Sequence, residues 1–411
     1  MKLSPTSSSY ILIFIIFFSI YSDVPLILPN GKWIPSFTTL LILPLIFIFI
    51  KNTFELDDII LFISFALLIS FSLIINKIYL YGPISSLFKA IQFLVAILMG
   101  ICVKKYIELI PKPKLKKILW ISLFSILIGC TLERIGIIRP LTLAYKYFVY
   151  SGTRYGNNSN YDFRDLNISG FIRPILFTSE PSLVAVGFYV FSTSLSLLED
   201  NKRTLLYILF ACLIFITLSG SPIGFFSLVS WLGIWVRNTK GKILHLSLIL
   251  FFLPILLLIL FQIPFFYDIY AKIINRIFNE IASEGTSVYA RIYFPYFILI
   301  PFIFKNYPLF GIGFGGREKF ISLIYGQGVT SNDVNLDFTE GANAFARIFA
   351  YLGIIGAMLF LYILHRYIKS NSKSDVVLFF FLWFLLSQTL GTFETPRYWC
   401  FTFIILACFR K

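Results

Sequence analysis

The chain has 411 residues, of which 58% are hydrophobic and only 13% are charged, and its mean hydropathy is +0.85. A soluble globular fold of this size cannot bury so much apolar surface, so soluble enzymes, coiled coils, disordered proteins and nucleic-acid-binding domains are excluded. The formal net charge of +15 would suit an anionic partner, but the side of the membrane on which the charges lie matters more than their sum.

Apolar runs separated by polar or Pro/Gly-containing segments predict about twelve membrane-spanning helices of about 20 residues each. We therefore expect an all-α polytopic integral membrane protein, with residues 1–411 forming a single transmembrane domain. The apolar start of the chain is predicted to be a retained helix, because no small-residue cleavage site follows it. The predicted spans lie near residues 9–28, 33–50, 58–76, 84–103, 118–138, 175–198, 204–219, 221–237, 243–263, 343–365, 376–391 and 397–410.

Lysine placement predicts the orientation of these spans. The segment KKYIELIPKPKLKK (104–117) has six lysines in fourteen residues, which places it in the cytoplasm by the positive-inside rule. Alternation of the spans brings the other short basic loops and both termini to the same side. Two long loops, 139–174 and 264–342, are then predicted to lie on the outer side.

Arginine is distributed differently from lysine. Ten of the fourteen arginines map to the outer side or its membrane boundary, whereas most lysines map to the cytoplasmic side. The arginine fork binds phosphate and carboxylate in a bidentate way, while lysine acts as a diffuse anchor. An anionic ligand on the outer face, such as a phosphate-bearing lipid, would explain this pattern. Simple tolerance of charge in long translocated loops is the alternative.

The first motif with a chemical implication is FRDLNISGFIRPILFTSEPS (163–182). Arg173 and Glu180 lie at the start of an apolar run, where a charge near the membrane centre costs about 2.5–3.5 kcal/mol or more. Pro174 and Pro181 interrupt the helix, as expected of backbone that lines a wet cavity. We predict a functional site here. The alternative is a mutual ion pair that anchors the helix end.

The second motif is GTSVYARIYFPYFILIPFIFKNYPLFGIGFGG (285–316), in which Arg291 precedes an aromatic-rich stretch and a glycine-rich turn. The spacing of Gly311, Gly313 and Gly316 matches the dinucleotide fingerprint. The βαβ unit that this fingerprint requires is missing, so nucleotide binding is excluded. We instead predict a tight turn that brings backbone N–H groups near an anion or a sugar.

The third motif is SNDVNLDFTEGANAFARIFAYLGIIG (331–356). An acidic run that ends at Glu340 precedes a helix that carries Asn343 and Arg347. Arg347 lies about one turn into an apolar helix, so we expect it to face a cavity or a partner. An ordinary loop followed by a capped helix is the alternative.

The last outer turn is GTFETPRYW (391–399), in which Glu394 and Arg397 are expected to pair at the interface. The five cysteines are scattered through apolar stretches without ligand spacing, and both histidines lie beside predicted cytoplasmic turns. Apart from the loose acidic run before Glu340, no outer cluster has the spacing of a metal site. We therefore predict chemistry without a metal.

With these motifs, the chain resembles the O-antigen polymerase and ligase group of polytopic bacterial membrane proteins (Wzy-type polymerases). The matching stretches follow the order found in that family. They are GFIRPILFTSEPS (170–182), LSGSPIGF (218–225), ARIYF (290–294) followed by PLFGIGFGG (308–316), and GANAFARIFAYLGIIG (341–356).

The resemblance implies a multi-pass protein of the bacterial inner membrane with its active site and two large loops facing the periplasm. It implies a glycosyltransferase that needs no metal or other cofactor. The enzyme would transfer the growing glycan from undecaprenyl pyrophosphate to the next repeat unit of an O-antigen or related surface polysaccharide. The implied partners are undecaprenyl-pyrophosphate-linked oligosaccharide and membrane lipids. A chain-length regulator protein is a further candidate partner, and no nucleic acid is expected.

In this resemblance Arg173 and Arg291 fall at the family's two outer-loop arginines, where they would hold the pyrophosphate. The ligase branch carries a histidine before the helix that matches GIIG, whereas this chain has Gly341, Ala342 and Asn343. This difference favours a polymerase over a ligase and leaves the general base open. The catalytic candidates are Arg173, Arg291, Glu180 and Glu340, and the substrate-binding candidates are Arg347, Arg397, Arg164, Asn343 and Tyr289.

Two other functions remain as alternatives at this point. A ligase or another lipid-linked glycan transferase would differ from the polymerase only in its acceptor. A transporter of lipid-linked sugars would also need arginines in a cavity, but it would place charge along a path through both leaflets.

Overall fold

The computed structural model shows a chain built almost entirely of helices. A two-residue strand pair, in which Leu26–Ile27 runs antiparallel to Trp33–Ile34, is the exception within the part of the chain that the structure describes. The predicted all-α class is therefore confirmed. The described residues are 8–27, 33–34, 37–50, 53–76, 83–151, 171–238, 289–314, 343–368 and 373–409.

The helices follow one another with short connections. A π-helical segment, Tyr289–Leu299, leads directly into α10. In chain order the α-helices are α1 (Ser8–Ser22), α2 (Phe37–Ile50), α3 (Leu56–Ile75), α4 (Pro83–Leu109), α5 (Lys112–Arg134), α6 (Arg139–Tyr150), α7 (Pro181–Leu198), α8 (Lys202–Ser219), α9 (Gly224–Asn238), α10 (Ile300–Asn306), α11 (Ala344–Tyr367), α12 (Lys373–Thr389) and α13 (Pro396–Phe409).

Six of the described helices, α3, α4, α5, α7, α8 and α11, are long and apolar enough to cross a membrane. In α3 the apolar side chains lie on both faces, since Phe65 is buried while Leu67 and Ile74 are exposed. A helix that is apolar all round and still exposed is typical of a membrane-embedded protein. Shorter apolar helices match other predicted spans, and the span at 243–263 lies outside the described residues. The number of twelve spans stays a prediction.

The chain divides into two compact units. Unit 1 comprises Met1–Ile42, Ile107–Phe278 and Ala407–Lys411, and unit 2 comprises Leu43–Tyr106 and Asn279–Leu406. In unit 1 the almost fully buried helix α7 packs against α5, α8 and α9. In unit 2 helix α11 packs against α3, α10, α12 and the π-helical segment.

Local sequence signals account for several helix ends. Pro111 lies immediately before α5, and Pro181 is the first residue of α7, where proline is tolerated because its missing N–H has no helical partner. The Asn201 side chain caps α8 by accepting a hydrogen bond from the N–H of Arg203 at 3.0 Å. The same helix ends at Gly220, which has a left-handed φ of +56°.

The glycine-rich turn of the second motif packs its backbone against a break in α11. Gly353 has a φ of +64° inside the helix, and a Cβ at this position would collide with the backbone nitrogen of Gly311. The N–H groups of Ile312 and Gly313 donate to the carbonyls of Ala350 and Tyr351, at 2.9 and 3.0 Å. The prediction that this turn presents N–H groups to a ligand is therefore wrong for these two residues.

The structure also shows where the predicted loops contain helices. Helix α4 extends to Leu109 and α5 begins at Lys112, so most of the basic segment 104–117 is helical. The segment 139–174 begins with α6, and its residues 152–170 lie outside the described part. In the segment 264–342 the described residues are 289–314, which contain the π-helical segment and α10.

Two of the lysines used to predict orientation are buried in an ion cluster of unit 2. The Asp58 carboxylate lies 3.1 Å from Lys105 and 3.7 Å from Lys104, and it accepts a hydrogen bond from the Tyr367 hydroxyl at 2.5 Å. Lys105 also pairs at 2.9 Å with Glu55, which lies just before α3. These two lysines stabilise the fold, so the predicted orientation depends on the remaining basic residues.

Candidate functional site

Unit 1 buries the carboxylate of Glu133 near the end of α5. It accepts hydrogen bonds from Arg139 Nη1 at 2.5 Å and from Thr142 Oγ1 at 2.9 Å. It also accepts from the backbone N–H groups of Ile175 and Leu176, at 3.1 and 2.9 Å. The side chain is buried, with the whole residue only 3% exposed. Because a cation and three neutral donors surround it, the cost of removing this charge from water is largely offset.

The contacts of Glu133 hold the broken segment that precedes α7. Leu176 and Phe177 have positive φ values of 35° and 62°, a region in which residues with a side chain are strained. Strain of this kind persists where surrounding contacts determine the conformation, and it clusters at functional sites. The conformation of this segment therefore supports the prediction of a site in the first motif.

Arg173 and Glu180, the two candidates in this segment, do not pair with each other. Arg173 is buried, and its backbone carbonyl accepts a hydrogen bond from Arg139 Nη1 at 3.4 Å. Glu180 is half-buried at the N-cap position of α7, where its carboxylate makes no hydrogen bond or ion pair with the described residues. The alternative of a mutual ion pair is wrong, because Glu133 anchors the segment instead.

Two motifs of the family resemblance meet in unit 1. The Arg134 guanidinium lies 4.0 Å from the centre of the Phe171 ring and donates a hydrogen bond to the carbonyl of Thr217 at 2.5 Å. A Cβ on Gly220 would lie 2.6 Å from the same ring, so only glycine fits. GFIRPILFTSEPS and LSGSPIGF are therefore in contact through Phe171.

In unit 2, Asn343 connects three chain segments at the start of α11. Its Oδ1 accepts from the N–H of Ala346 at 3.1 Å and so caps the helix. Its Nδ2 group lies 2.9 Å from the carbonyl of Arg291, 2.6 Å from Gln388 Oε1 and 3.3 Å from the Tyr296 hydroxyl. The amide of Asn343 thus serves the fold. We place it as a residue that positions Arg291, rather than as a direct ligand of the substrate.

Arg347 lies in the first turn of α11 and is buried, as the prediction of a cavity-facing arginine requires. Its Nη1 lies 3.7 Å from Glu394 Oε2, in the turn between α12 and α13. Arg397 is also buried, but Glu394 makes no ion pair with it. The expected pair of Glu394 with Arg397 is therefore wrong, and the partner of Glu394 is Arg347.

The aromatic side chains before α10 mostly contact each other. Tyr289 is buried and stacks on Tyr293 with ring centres 5.2 Å apart, and Tyr293 stacks on Phe297 at 5.3 Å. The Tyr296 hydroxyl donates to Gln388 Oε1 at 2.7 Å. Among these rings Tyr293 and Phe297 are the more exposed, so they are better placed than Tyr289 to contact a sugar.

The structure thus groups the candidates by unit. Arg291, Asn343, Arg347 and Glu394 share one end of unit 2, while Arg173 and Glu180 belong to unit 1. The joint action of Arg173 and Arg291 stays a prediction. Arg164 and Glu340 lie outside the described residues.

Comparisons with known proteins were made for the whole chain. No protein-family model, curated protein or solved structure matches it. The functional argument therefore depends on the residues themselves. Within the described ranges, no group of three or more His, Cys, Asp or Glu residues is arranged to hold a metal ion.

Sequence analysis missed the roles of Glu133 and Gln388. Glu133 carried a detectable signal, because an acidic residue beside Arg134 at the end of an apolar helix needs a partner. Gln388 carried none, since a glutamine near a helix end is common. Its role becomes visible only when Asn343 and Tyr296 are found beside it.

Proposed function

We propose that the chain polymerises lipid-linked oligosaccharide repeat units on the periplasmic face of the bacterial inner membrane. It would transfer the growing glycan from undecaprenyl pyrophosphate to the next repeat unit, as the resemblance to O-antigen polymerases implies. Lipid-linked oligosaccharide and membrane lipids are its partners in this proposal. A chain-length regulator is a further partner to be tested.

The observation that supports this proposal best is the convergence of three family motifs at one end of unit 2. The carbonyl of Arg291, in ARIYF, accepts a hydrogen bond from Asn343, in GANAFARIFAYLGIIG. PLFGIGFGG reaches the same helix through the backbone bonds at the α11 break. Distant stretches that resemble one family thus form one packed site that contains Arg291 and Arg347.

The chemistry of the transfer suits these residue types. When a hydroxyl displaces pyrophosphate from an anomeric carbon, negative charge develops on the leaving phosphate oxygen, and fixed positive groups stabilise it. Arg291 and Arg347 supply that charge in unit 2, and Arg173 supplies it in unit 1. Carboxylates such as Glu180 and Glu394 are available to orient an arginine or the attacking hydroxyl.

A transporter is less well supported by the packing of unit 2. In α11 the charged site at Arg347 and the ion cluster at Tyr367 are separated by Phe360. The Phe360 ring packs on Phe65 with centres 5.0 Å apart, and Phe65 packs on Trp399 at 5.6 Å. A packed aromatic layer between two charged ends favours chemistry at one face over a polar path through the unit.

A ligase is disfavoured by the position of the histidines. His365 lies near the end of α11 that carries Tyr367, about five turns from Arg347. The other histidine, His245, lies outside the described residues and within a predicted span near the cytoplasmic side. The described outer-site residues therefore offer carboxylates, rather than an imidazole, as proton acceptors.

Disruption of the gene tests the proposal directly. A polymerase mutant should carry surface glycan with a single repeat unit, and the plasmid-borne gene should restore the long chains. Loss of all glycan from the lipid acceptor would indicate a ligase. Accumulation of lipid-linked repeats on the cytoplasmic side would indicate a transporter.

The arginines are tested by charge-preserving substitutions. Arg291→Lys or Arg173→Lys keeps the positive charge but loses the bidentate fork, so we expect glycan polymerisation to fall by at least about tenfold. Membrane abundance should stay near that of the wild type. Arg203→Lys is the matched control, because Arg203 is exposed at the start of α8. Long glycan from both Lys variants would return these arginines to a purely structural role.

A further inference from the structure

Glu394 is a buried carboxylate that lacks hydrogen-bond donors. It is 3% exposed, and neither of its carboxylate oxygens accepts a hydrogen bond from any residue in the described ranges. Its one ion-pair contact there, Arg347 Nη1 at 3.7 Å, is beyond hydrogen-bond distance. A buried ionised group in this state is costly unless another molecule completes its coordination.

The turn that carries Glu394 does not need this side chain for its shape. The carbonyl of Leu390 accepts from the N–H of Ala344 at 2.9 Å, and the carbonyl of Phe393 accepts from Trp399 Nε1 at 2.8 Å. Thr395 Oγ1 donates to the carbonyl of Thr392 at 3.1 Å. Backbone carbonyls hold the turn in place, so the Glu394 carboxylate is presented by a fixed support.

The missing partner must supply hydrogen-bond donors. A free phosphate at this position would face the negative charge of Glu394, and Arg347 already provides the nearby positive charge. A hydroxyl group satisfies the carboxylate by donating one hydrogen bond and adds no charge. Saccharides are the hydroxyl-rich component of the proposed substrate.

We propose that Glu394 accepts a hydrogen bond from the acceptor hydroxyl of the saccharide and takes its proton during transfer. This inference depends on the proposed function. In the step, the hydroxyl oxygen forms a bond to the anomeric carbon while the bond from that carbon to the pyrophosphate oxygen breaks. The bonding pair leaves with the pyrophosphate, and the hydroxyl proton moves to a Glu394 carboxylate oxygen. Glu394 thereby fills the role of the general base.

The main test compares Glu394→Gln with the wild type in purified full-length protein reconstituted in lipid nanodiscs. The substrate is the undecaprenyl-pyrophosphate-linked repeat unit, and the readouts are kcat, KM and the pH dependence of kcat. The amide keeps the shape of the carboxylate but cannot take the proton, so kcat should fall by about 100-fold or more. KM should change by no more than about threefold, and the acidic limb of the pH–rate profile should disappear.

Asp375→Asn is the matched control, since it makes the same change in the first turn of α12, away from the Glu394 turn. It should leave kcat and the pH profile unchanged. If Glu394→Gln keeps at least a third of the wild-type kcat with the acidic limb intact, the proposal is overturned. A kcat loss with an unchanged pH limb would also overturn proton transfer to Glu394.

A binding experiment separates failure of this inference from failure of the proposed function. If wild-type protein makes no polymer, the proposed function fails, and binding decides the role of Glu394. Two probes are compared, undecaprenyl pyrophosphate and the same lipid bearing one saccharide repeat. Glu394→Ala should weaken binding of the saccharide-bearing lipid by about fivefold or more and leave the bare lipid unaffected. Equal effects on both probes, or none on either, would exclude a saccharide contact.

Discussion

Each unit buries one glutamate beside an arginine, and the two glutamates differ in their hydrogen-bond partners. Glu133 and Glu394 are both 3% exposed. Glu133 is surrounded by Arg139, Thr142 and two backbone N–H groups, whereas Glu394 has Arg347 at 3.7 Å and no donor within hydrogen-bond distance among the described residues. Burial is the same, so the donors separate a carboxylate that stabilises the fold from one that is available to a ligand.

This comparison shows how an acidic residue in a membrane protein can be interpreted. A charge that is buried at a high free-energy cost is retained either because the fold uses it or because the function does. Glu133 belongs to the first kind, since it holds the strained turn at Leu176 and Phe177. Glu394 belongs to the second kind in our proposal. The two classes make opposite predictions for protein stability.

The largest effect is expected for Glu133→Ala. The substitution removes the acceptor of Arg139, Thr142 and two backbone N–H groups, and it leaves a buried cation without its carboxylate. We expect a loss of about 3–5 kcal/mol in the free energy of unfolding and low abundance in the membrane.

A thiol-reactive fluorescent dye can measure this loss during thermal unfolding, because Cys130 is buried one helical turn from Glu133. Glu133→Gln is the matched variant. It keeps the shape and should lose less stability than Glu133→Ala. If Glu133→Ala unfolds at the same temperature as the wild type, the assignment of a structural role to Glu133 is wrong.

A smaller effect, of either sign, is expected for the stability of Glu394→Gln. The amide removes a buried charge that has no hydrogen-bond donors, and only a 3.7 Å contact with Arg347 is lost. The unfolding free energy should therefore stay within about 1 kcal/mol of the wild type or rise slightly. The same dye assay reports on unit 2 through Cys400, which is buried in α13. A destabilisation as large as that of Glu133→Ala would remove the contrast between the two glutamates.

The sequence predicted the elements of the fold better than the partners within the sites. Apolar run length predicted α3, α5, α7 and α11, because a helix in lipid satisfies its own backbone hydrogen bonds. Charge in an apolar segment identified Arg347 as buried. The partner of Glu394 was predicted wrongly, because nearness in sequence favoured Arg397 while the tertiary fold brings Arg347 to it.

The same limit applies to lysine as a signal of orientation. Lys104 and Lys105 were counted with the basic segment, yet both are buried and lie near Asp58, which is far away in sequence. Positive-inside counting measures charge near a membrane end, and it cannot separate a lysine in water from one that is paired inside the helix bundle. The contacts of Asn343 with Arg291 and Gln388 were unpredictable for the same reason.

The smallest effect is expected at Glu55, the exposed member of the Asp58 cluster. A hydrogen bond from Lys105 lowers the pKa of Glu55 below its usual value of 4.5, although burial opposes this shift. A carboxyl whose pKa is lower in the folded state stabilises the fold above the unfolded-state pKa, and this contribution is lost as the pH falls through the folded-state pKa. The Glu55 side chain is 59% exposed, so solvent and salt weaken the interaction.

We therefore expect wild-type protein to unfold at a slightly higher temperature than Glu55→Gln at pH 7, with the difference shrinking as the pH falls below about 4.5. Thermal unfolding of the two proteins between pH 7 and pH 3 measures this difference. Both keep Asp58, so its own titration cancels in the comparison. A high-salt series at pH 7 should also reduce the difference, because the pair is exposed. A difference that stays constant or grows on acidification would mean that the Glu55 contact with Lys105 does not stabilise the folded state.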